Sequence, residues 1–454
     1  MSNVFDSAFD KESRYISLTA SIYFGGSEEA PLDVTRDNYL MDFSLLEELA
    51  SDAKNPVGNI SSNECTFTLF NEDDIFNPKN VTGPYAGKIQ SGLRIVVTAR
   101  EEESMQDTNV GTFYVTSWLA GLYKGYANIE CTDKLGSILK LTMPSIDVHQ
   151  DESVYAFFQR IFYSIGLTDN DFVIDTSLQK VYIPFTYSKK GTVGENLQAL
   201  AVSYMCNIFT NRVNQIEVLP ILNTTEIITE VSSDNQLMDI DLEQSVLKTY
   251  TGARLTYALP HIGDCDNILS LPTYDIASGI NQLKHLDISK GPVVLYSYCS
   301  IDRALKSRLT DAEGTPWDIT LTITNSGVSV EQVDINIFGR LLTNNYTVLT
   351  TEISSNTLES TLEVTTDYIQ TKELATQYLQ ILKNYISSDI PFITVEARGN
   401  LSLDIGSVVT LKDIKHNLSF TAKVYRADYK YDGSLSATYV FLNLTDLGGE
   451  AIGF

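Results

Sequence analysis

The sequence predicts a mainly β protein carrying a small α+β domain, and three observations lead there. Among 454 residues stand 25 Tyr and 19 Phe, which together with many Thr, Val and Ile favour strands over helices. Apolar and polar residues alternate with period two through the first third of the chain and again from Leu237 to the end, as half-buried strands require. Between those stretches, from residue 146 to about 232, the period switches to 3.6, the mark of amphipathic helices. A chain this long exceeds what one core serves, so three or four domains are expected.

Taken in order, Ile16, Leu18, Ala20, Ile22 and Phe24 alternate with Ser17, Thr19, Ser21 and Tyr23. Met41, Phe43 and Leu45 continue the pattern, although Leu45-Leu46-Glu47-Glu48-Leu49 reads equally as helix. Further strands are expected at Cys65–Phe70, Leu93–Ala99, Gly111–Trp118 and Tyr126–Thr132. Turn signals separate them at Asn55-Pro56, Asn77-Pro78, Gly83-Pro84 and Gly121, and many short strands at such spacing suggest a sandwich or barrel.

Val154, Phe157, Phe158, Ile161, Phe162 and Ile165 then share one helix face, with Asp151 as expected N-cap and Gly166 just past the end. A second helix opens with the capping box Thr192-Val193-Gly194-Glu195 and buries Leu197, Leu200, Ala201 and Tyr204. Lys180–Tyr187 reads as a strand between them. Asn207–Thr210 and Gln215–Leu219 read as a hairpin around Asn211-Arg212-Val213-Asn214. Residues 259–290 are rich in turn formers and are expected to be irregular. Thr371 can cap a third helix with Leu374, Tyr378, Leu382 and Tyr385 on its inner side. Strands follow at Phe392–Ala397, Ser407–Leu411, Ser419–Tyr429 and Ser436–Leu444, the last two joined at Asp432-Gly433. The expected domains are residues 1–145, 146–232, 233–365 and 366–454, the third either a β-rich domain or an elaboration of the last.

The formal net charge is −26, from 58 acidic and 32 basic residues. Such a chain repels phosphate backbones and anionic lipid, which argues against gripping nucleic acid or a membrane surface. The charge serves solubility or, on a sharper reading, lines a surface along which DNA slides. Residues 1–10 form no secretory signal, and no run approaches the ~20 apolar residues of a membrane helix. Cys65, Cys131, Cys206, Cys265 and Cys299 are odd in number and widely spaced, as for reduced thiols of a protein made in a cytoplasm.

No enzyme signature emerges. His149, His261, His285 and His416 lie in unrelated segments without ligand spacing, and GxSxG, P-loop and GxGxxG patterns are missing. Asn71-Glu72-Asp73-Asp74 offers oxygens to calcium but lacks the Gly and closing Glu of an EF-hand loop, so a solvated turn is the plainer reading. Glu101-Glu102-Glu103 reads as a charged loop tip. No catalytic residue, cofactor or metal is expected.

One series of motifs carries a resemblance. Pro56-Val57-Gly58-Asn59-Ile60 is followed by Asn63–Leu69, then Phe76-Asn77-Pro78, then Gly83-Pro84-Tyr85-Ala86-Gly87-Lys88-Ile89 and Gly92-Leu93-Arg94-Ile95. This resembles the amino-terminal region of minor tail and tail-hub proteins of tailed phages, with Gly83 and Ala86 where Ser and a second Tyr are usual. Gly111–Trp118 and Thr132-Asp133-Lys134-Leu135-Gly136 also fit. Farther on, Val333–Leu342 resembles that family's strand ending in Gly339-Arg340, and Leu403-Asp404-Ile405-Gly406-Ser407-Val408 its Leu-x-x-Gly-Asp-x-Val segment, with Ser407 in place of Asp. Each piece also has a plain structural reason, since Gly and Pro shape turns.

The resemblance implies two tail-tube-like β-barrel domains per chain and a homotrimeric ring beneath the tail tube, in the virion tail tip or baseplate after assembly in the host cytoplasm. Implied partners are the distal tail protein or tail tube, the tape-measure protein and receptor-binding fibre or tip proteins. DNA would only pass through the lumen. Two other classes stay open: a carbohydrate-binding adsorption protein using its many Tyr, and a cell-wall hydrolase, for which the chain leaves no room beyond its last strands.

Overall fold

The computed structural model describes residues 15–25, 31–35, 39–50, 57–102, 106–121, 125–221, 227–232, 237–241, 250–352, 361–387, 392–414 and 417–444. Asn55-Pro56, Glu103 and His416 fall outside them, as does the side chain of Tyr385. The protein is mostly β with four helices among the described residues.

Its largest element is a sheet of thirteen strands. One half runs Leu40–Glu48, Glu64–Phe70, Tyr126–Thr132, Gln106–Ala120, Arg94–Glu101, Ile16–Tyr23, Leu32–Asp33. The other runs Leu418–Tyr431, Leu435–Asn443, Phe392–Ala397, Leu237–Asp241, with Val408–Asp413 and Ile227–Ser232 branching from Leu418–Tyr431. The halves meet where Leu418–Tyr431 pairs antiparallel with Leu40–Glu48, from Arg426 opposite Glu48 to Tyr431 opposite Phe43. Residues some 380 positions apart thus share one ladder, and the two ends of the chain form one continuous wall.

Period-two burial follows the pattern. Leu18, Ala20 and Ile22 point inward, as do Phe43, Leu45, Phe67 and Leu69. Leu45–Glu48 is therefore strand and not helix: Leu45 and Glu47 point to one buried face, and Leu49 is buried just past the strand's end. Met41 breaks the alternation at 51% exposure, because a register shift between Leu40 and Asp42 reverses the phase.

The helices are α1 (Lys134–Ile138), α2 (Val154–Ser164), α3 (Val193–Ser203) and α4 (Lys372–Ser387). In α2 the residues Val154, Phe157, Phe158, Ile161 and Phe162 are all fully buried, and burying each large side chain contributes roughly 1.5–3 kcal/mol. Its N-cap is Ser153, whose hydroxyl accepts from Ala156 N at 3.2 Å, and not Asp151. Asp151 sits in the strand His149–Ser153 at φ 51°, two residues too early for its carboxylate to reach the first turn. Gly166 ends the turn after α2 with φ 86°, a conformation that suits glycine. The capping box of α3 forms in both directions, Glu195 N to Thr192 Oγ1 at 3.1 Å and Thr192 N to Glu195 Oε2 at 2.7 Å. Leu374 N reaches Thr371 Oγ1 at 3.2 Å at the start of α4.

A four-stranded sheet lies beside α3 in the order Phe172–Ile174, Ile216–Pro220, Cys206–Thr210, Asn59–Ile60. Its last strand comes from the first third of the chain. Gly58 precedes it because a Cβ there would stand 1.9 Å from the Ala201 carbonyl oxygen.

Residues 259–290 are ordered strands and not the irregular excursion expected. Gly252–Ile262, Asp266–Ile276 and Gly279–Asp287 fill the segment. Turn-forming residues inside it sit at register shifts, such as those between Asn267 and Leu269 and between Leu271 and Tyr274, and the strands continue through them. The 22-residue strand Glu331–Glu352 organises the region. Its second half pairs with Gly252–Ile262, whose inner residues join the main core. Its first half pairs with Asp266–Ile276 and Val293–Asp302. Together with a three-stranded sheet of Gly279–Asp287, Asp318–Asn325 and Ser307–Gly314, that first half encloses a separate core of Ile, Leu and Val. Residues 263–341 thus form a β lobe carried on two long strands.

Candidate functional site

Two places concentrate the side chains that the sequence singled out or that structure alone reveals. The first is the loop from Asn71 to Gly92. Asn71 Oδ1 accepts from Phe76 N at 2.8 Å, and Asp74 enters the left-handed region at φ 57°. Asn77 Oδ1 accepts from Lys79 N at 2.9 Å while its Nδ2 donates to Asp74 Oδ1 at 3.0 Å. The acidic run 71–74 is therefore a turn whose Asn71 and Asp74 side chains accept from Phe76 and Asn77 just beyond it. Phe76 is fully buried and anchors the loop. It stacks on Tyr85 at 5.7 Å, meets Tyr39 edge-on at 5.0 Å, and its carbonyl takes the Trp118 indole N–H at 2.9 Å. Tyr85 in turn stacks on Phe24 at 4.3 Å. Pro78, Pro84 and Gly87 lie exposed on the outer side, Gly87 with φ 71° and open space where a Cβ would stand. Phe76, Asn77 and Tyr85 are thus brought together, with Pro78, Pro84 and Gly87 along the rim.

Gly339 and Arg340 lie far along the chain, where Glu331–Glu352 passes from the lobe to the main body. A Cβ on Gly339 would come within 2.8 Å of the Leu295 carbonyl oxygen, so the strand needs glycine there. Arg340 points outward and is exposed.

Gly406, at φ 85°, borders the second place, which the sequence did not announce. The hairpin turn Asn211–Asn214 pushes Arg212, 6% exposed, into the seam between the halves of the large sheet. Its Nε and Nη2 donate to Glu47 Oε1 and Oε2 at 3.1 and 2.6 Å. Nη2 also reaches Tyr429 OH at 2.8 Å and Leu403 O at 3.0 Å, and Nη1 donates to Leu401 O. Burial alone would lower the Arg212 pKa, but Glu47, Tyr429 and Asp404 hold it well above its ordinary value. A planar guanidinium with five donors suits this forked geometry as an ammonium would not. Tyr429 and Tyr439 extend the network to Asn400 O, each at 3.1 Å. Three segments distant in sequence are bolted here: the strand with Glu47, the hairpin with Arg212 and the turn 400–404.

A cleft of about 230 Å³ opens beside the bolt, lined by Glu47, Thr210–Val213, Glu217 and Asp404–Ser407. Its chemistry is that of a joint: the cation is spent on fixed acceptors. Among the described residues, no group of His, Cys, Asp and Glu is placed to hold a metal. His149, His261 and His285 occupy separate exposed strand positions. Cys65 and Cys131 face each other across adjacent strands, both buried. The signal for the bolt was an acid, Glu47, at the inward position that follows Phe43 and Leu45 in the alternation.

Nearby, Asp133 ties the strand Glu64–Phe70 to α1 and the hairpin. It accepts from Asn63 N at 2.7 Å and Gly136 N at 2.8 Å, while Asn63 Nδ2 donates to Thr210 O at 2.9 Å. Burial pushes its carboxyl up to about 6 against these hydrogen bonds.

No protein-family model and no curated protein matches the sequence. Solved structures do. The chain is similar to the 43 kDa tail protein of prophage MuSo2 from Shewanella oneidensis, with TM-score 0.51, 9% identity and coverage of 94% of this chain and 98% of that one. It is also similar to the tail protein from Neisseria meningitidis MC58, with TM-score 0.53, 9% identity and coverage of 94% and 96%. The chain therefore shares, over nearly its whole length, the fold of tail proteins.

Proposed function

We propose that the chain is a non-enzymatic hub component at the distal end of a bacteriophage tail. The observation that carries this is the continuous thirteen-stranded wall, in which the first and last parts of one chain join edge to edge at Leu40–Glu48 and Leu418–Tyr431. One subunit then contributes two consecutive, tail-tube-like wall segments, and three subunits close a ring beneath the tube. The shared fold with tail proteins supports the same reading.

In this role the chain assembles in the host cytoplasm and resides in the virion tail tip. It closes the tube, contacts the distal tail and tape-measure proteins, and carries receptor-binding fibre or tip proteins. The loop built on Phe76, Asn77, Pro78, Pro84, Tyr85 and Gly87, the crossover at Gly339-Arg340 and the turn at Gly406 are structural turns in this scheme, not reactive sites. The net charge of −26 suits a lumen through which DNA passes without adhering, since like charges repel.

The deciding experiment is the mass and symmetry of the purified protein by mass photometry and negative-stain imaging. A three-fold ring with a central opening is expected. A monomer at every concentration, with no binding to tail-tube or tape-measure protein, would remove the hub reading.

A further inference from the structure

The β lobe uses its residues in an unusual way. Its buried core consists of Ile, Leu and Val, with Tyr296 packed half-buried against it, while the rings of Tyr298 and Phe338 stand on its outer face. Along the strand Glu331–Glu352, Val333, Ile335 and Ile337 point inward, so Asp334, Asn336, Phe338 and Arg340 point outward. Pairing with the two flanking strands arranges the outer face in rows. Phe338 lies between Asn267 and Tyr298, Asn336 between Ser270 and Ser300, and Asp334 faces Asp302 with Thr273 on its other side. Successive rows are about 7 Å apart, two residues along a strand.

The first row is an aromatic platform. Tyr298 stacks on Phe338 with ring centroids 4.4 Å apart and 11° between planes, yet remains 57% exposed. Asn267 of the first row joins the second and third rows in a connected polar network. Asn267 Nδ2 donates to Ser270 Oγ at 2.8 Å and Asn336 Oδ1 at 3.1 Å, Ser270 Oγ to Asn336 Oδ1 at 2.8 Å, and Asn336 Nδ2 to Asp302 Oδ2 at 3.1 Å. Asn267 Oδ1 is buried and unpartnered. Register shifts interrupt both flanking strands beside the aromatic row, between Asn267 and Leu269 and between Tyr296 and Tyr298. Such bulges re-aim side chains.

We propose that this face binds a saccharide built of neutral pyranose units. A pyranose presents an apolar C–H face, which packs on an aromatic ring, and a rim of hydroxyls, which pair with planar amides and carboxylates. Tyr298 supplies the first, with Phe338 fixing its ring. Asn336, Ser300 and Asp302 supply the second, already oriented by their mutual hydrogen bonds. Charge selects the class: Asp334 is paired with Arg303 at 3.0 Å, whereas Asp302 takes donors from the neutral Asn336 and Ser300. The face, on a chain of net charge −26, disfavours uronates and phosphorylated glycans.

The test is binding of the full chain to an array of neutral hexose and N-acetylhexosamine oligosaccharides beside acidic ones, with hits quantified by calorimetry. Neutral glycans are expected to bind, and Tyr298→Ala and Asn336→Ala each to weaken them about tenfold or more. Tyr298→Phe keeps the stacking ring and binding within about threefold. Tyr182→Ala, at an exposed Tyr in the middle of the chain, changes nothing. An array with no neutral binder, a preference for acidic glycans, or affinity indifferent to both Tyr298→Ala and Asn336→Ala overturns the proposal. Ring assembly is read separately, so a blank array leaves the hub reading standing.

Discussion

The main body and the β lobe spend the same residue types in opposite ways. In the body, Tyr and Phe are core: Phe43, Phe67, Phe76, Tyr204, Tyr368, Tyr429 and Tyr439 are all buried, and several Tyr hydroxyls bridge segments far apart in sequence. In the lobe the buried core is aliphatic, Tyr296 packs half-buried against it, and Tyr298 stands exposed on the outer face over Phe338. The body thus holds distant parts of a long chain together, for which an amphipathic ring with a polar tip is well suited. The lobe is closed by near-neighbour strands and leaves Tyr298 57% exposed on its outer face. Contacts between body and lobe include Trp317 Nε1 to Ser188 O at 2.6 Å and Lys190 Nζ to Ile288 O at 2.9 Å.

The largest effect is expected at the bolt. Arg212→Ala leaves Glu47 buried and unpaired and should cost about 3–5 kcal/mol in denaturant unfolding. Hydrogen exchange should show the loss in the body's seam and not in the lobe. Pairing Arg212→Met with Glu47→Leu removes both charges and should recover much of that loss. An equal loss in the lobe would deny that the two regions are independent.

Within the lobe, Ile337→Ala opens a cavity in the aliphatic core and should cost about 2–4 kcal/mol. The lobe should melt while the seam stays protected from exchange. A single cooperative loss across both regions would merge them.

Acid and base should act on the two regions in opposite directions. Asp133 in the body has its pKa raised from 3.8 to about 6. Its contribution is complete below pH 3.8 and is lost as pH rises through about 6, a change of about 2–3 kcal/mol. Glu331, at the lobe tip, is held at about 2 by hydrogen bonds from Ser307, Leu305 and Lys306. Its contribution is present above its ordinary 4.5 and is lost as pH falls through about 2. Unfolding curves of Asp133→Asn and Glu331→Gln across pH 2–7 should each lose one of these slopes.

The smallest effect is the most telling for function. Tyr298→Ala should change lobe stability by no more than about 0.5 kcal/mol, as surface substitutions do. A loss of 2 kcal/mol or more in thermal unfolding would make Tyr298 a packing residue after all.

Read alone, the sequence determined much of the local structure. Alternation placed Ile16–Tyr23 and its neighbours, the 3.6 period placed α2 and α3, and Thr192, Glu195, Gly166 and Gly433 marked their helix and hairpin ends. These depend on residues a few positions apart, so spacing carries them. It misplaced the cap at Asp151 and took 259–290 for irregular, because bulged strands break the period on which such reading relies. Only the tertiary structure decided that the first and last strands share one wall, that Glu47 meets Arg212 across 165 positions, and that the rings of Tyr298 and Phe338 face outward. Those are non-local pairings: a strand edge accepts any suitable partner, and register is set by what the rest of the chain brings beside it.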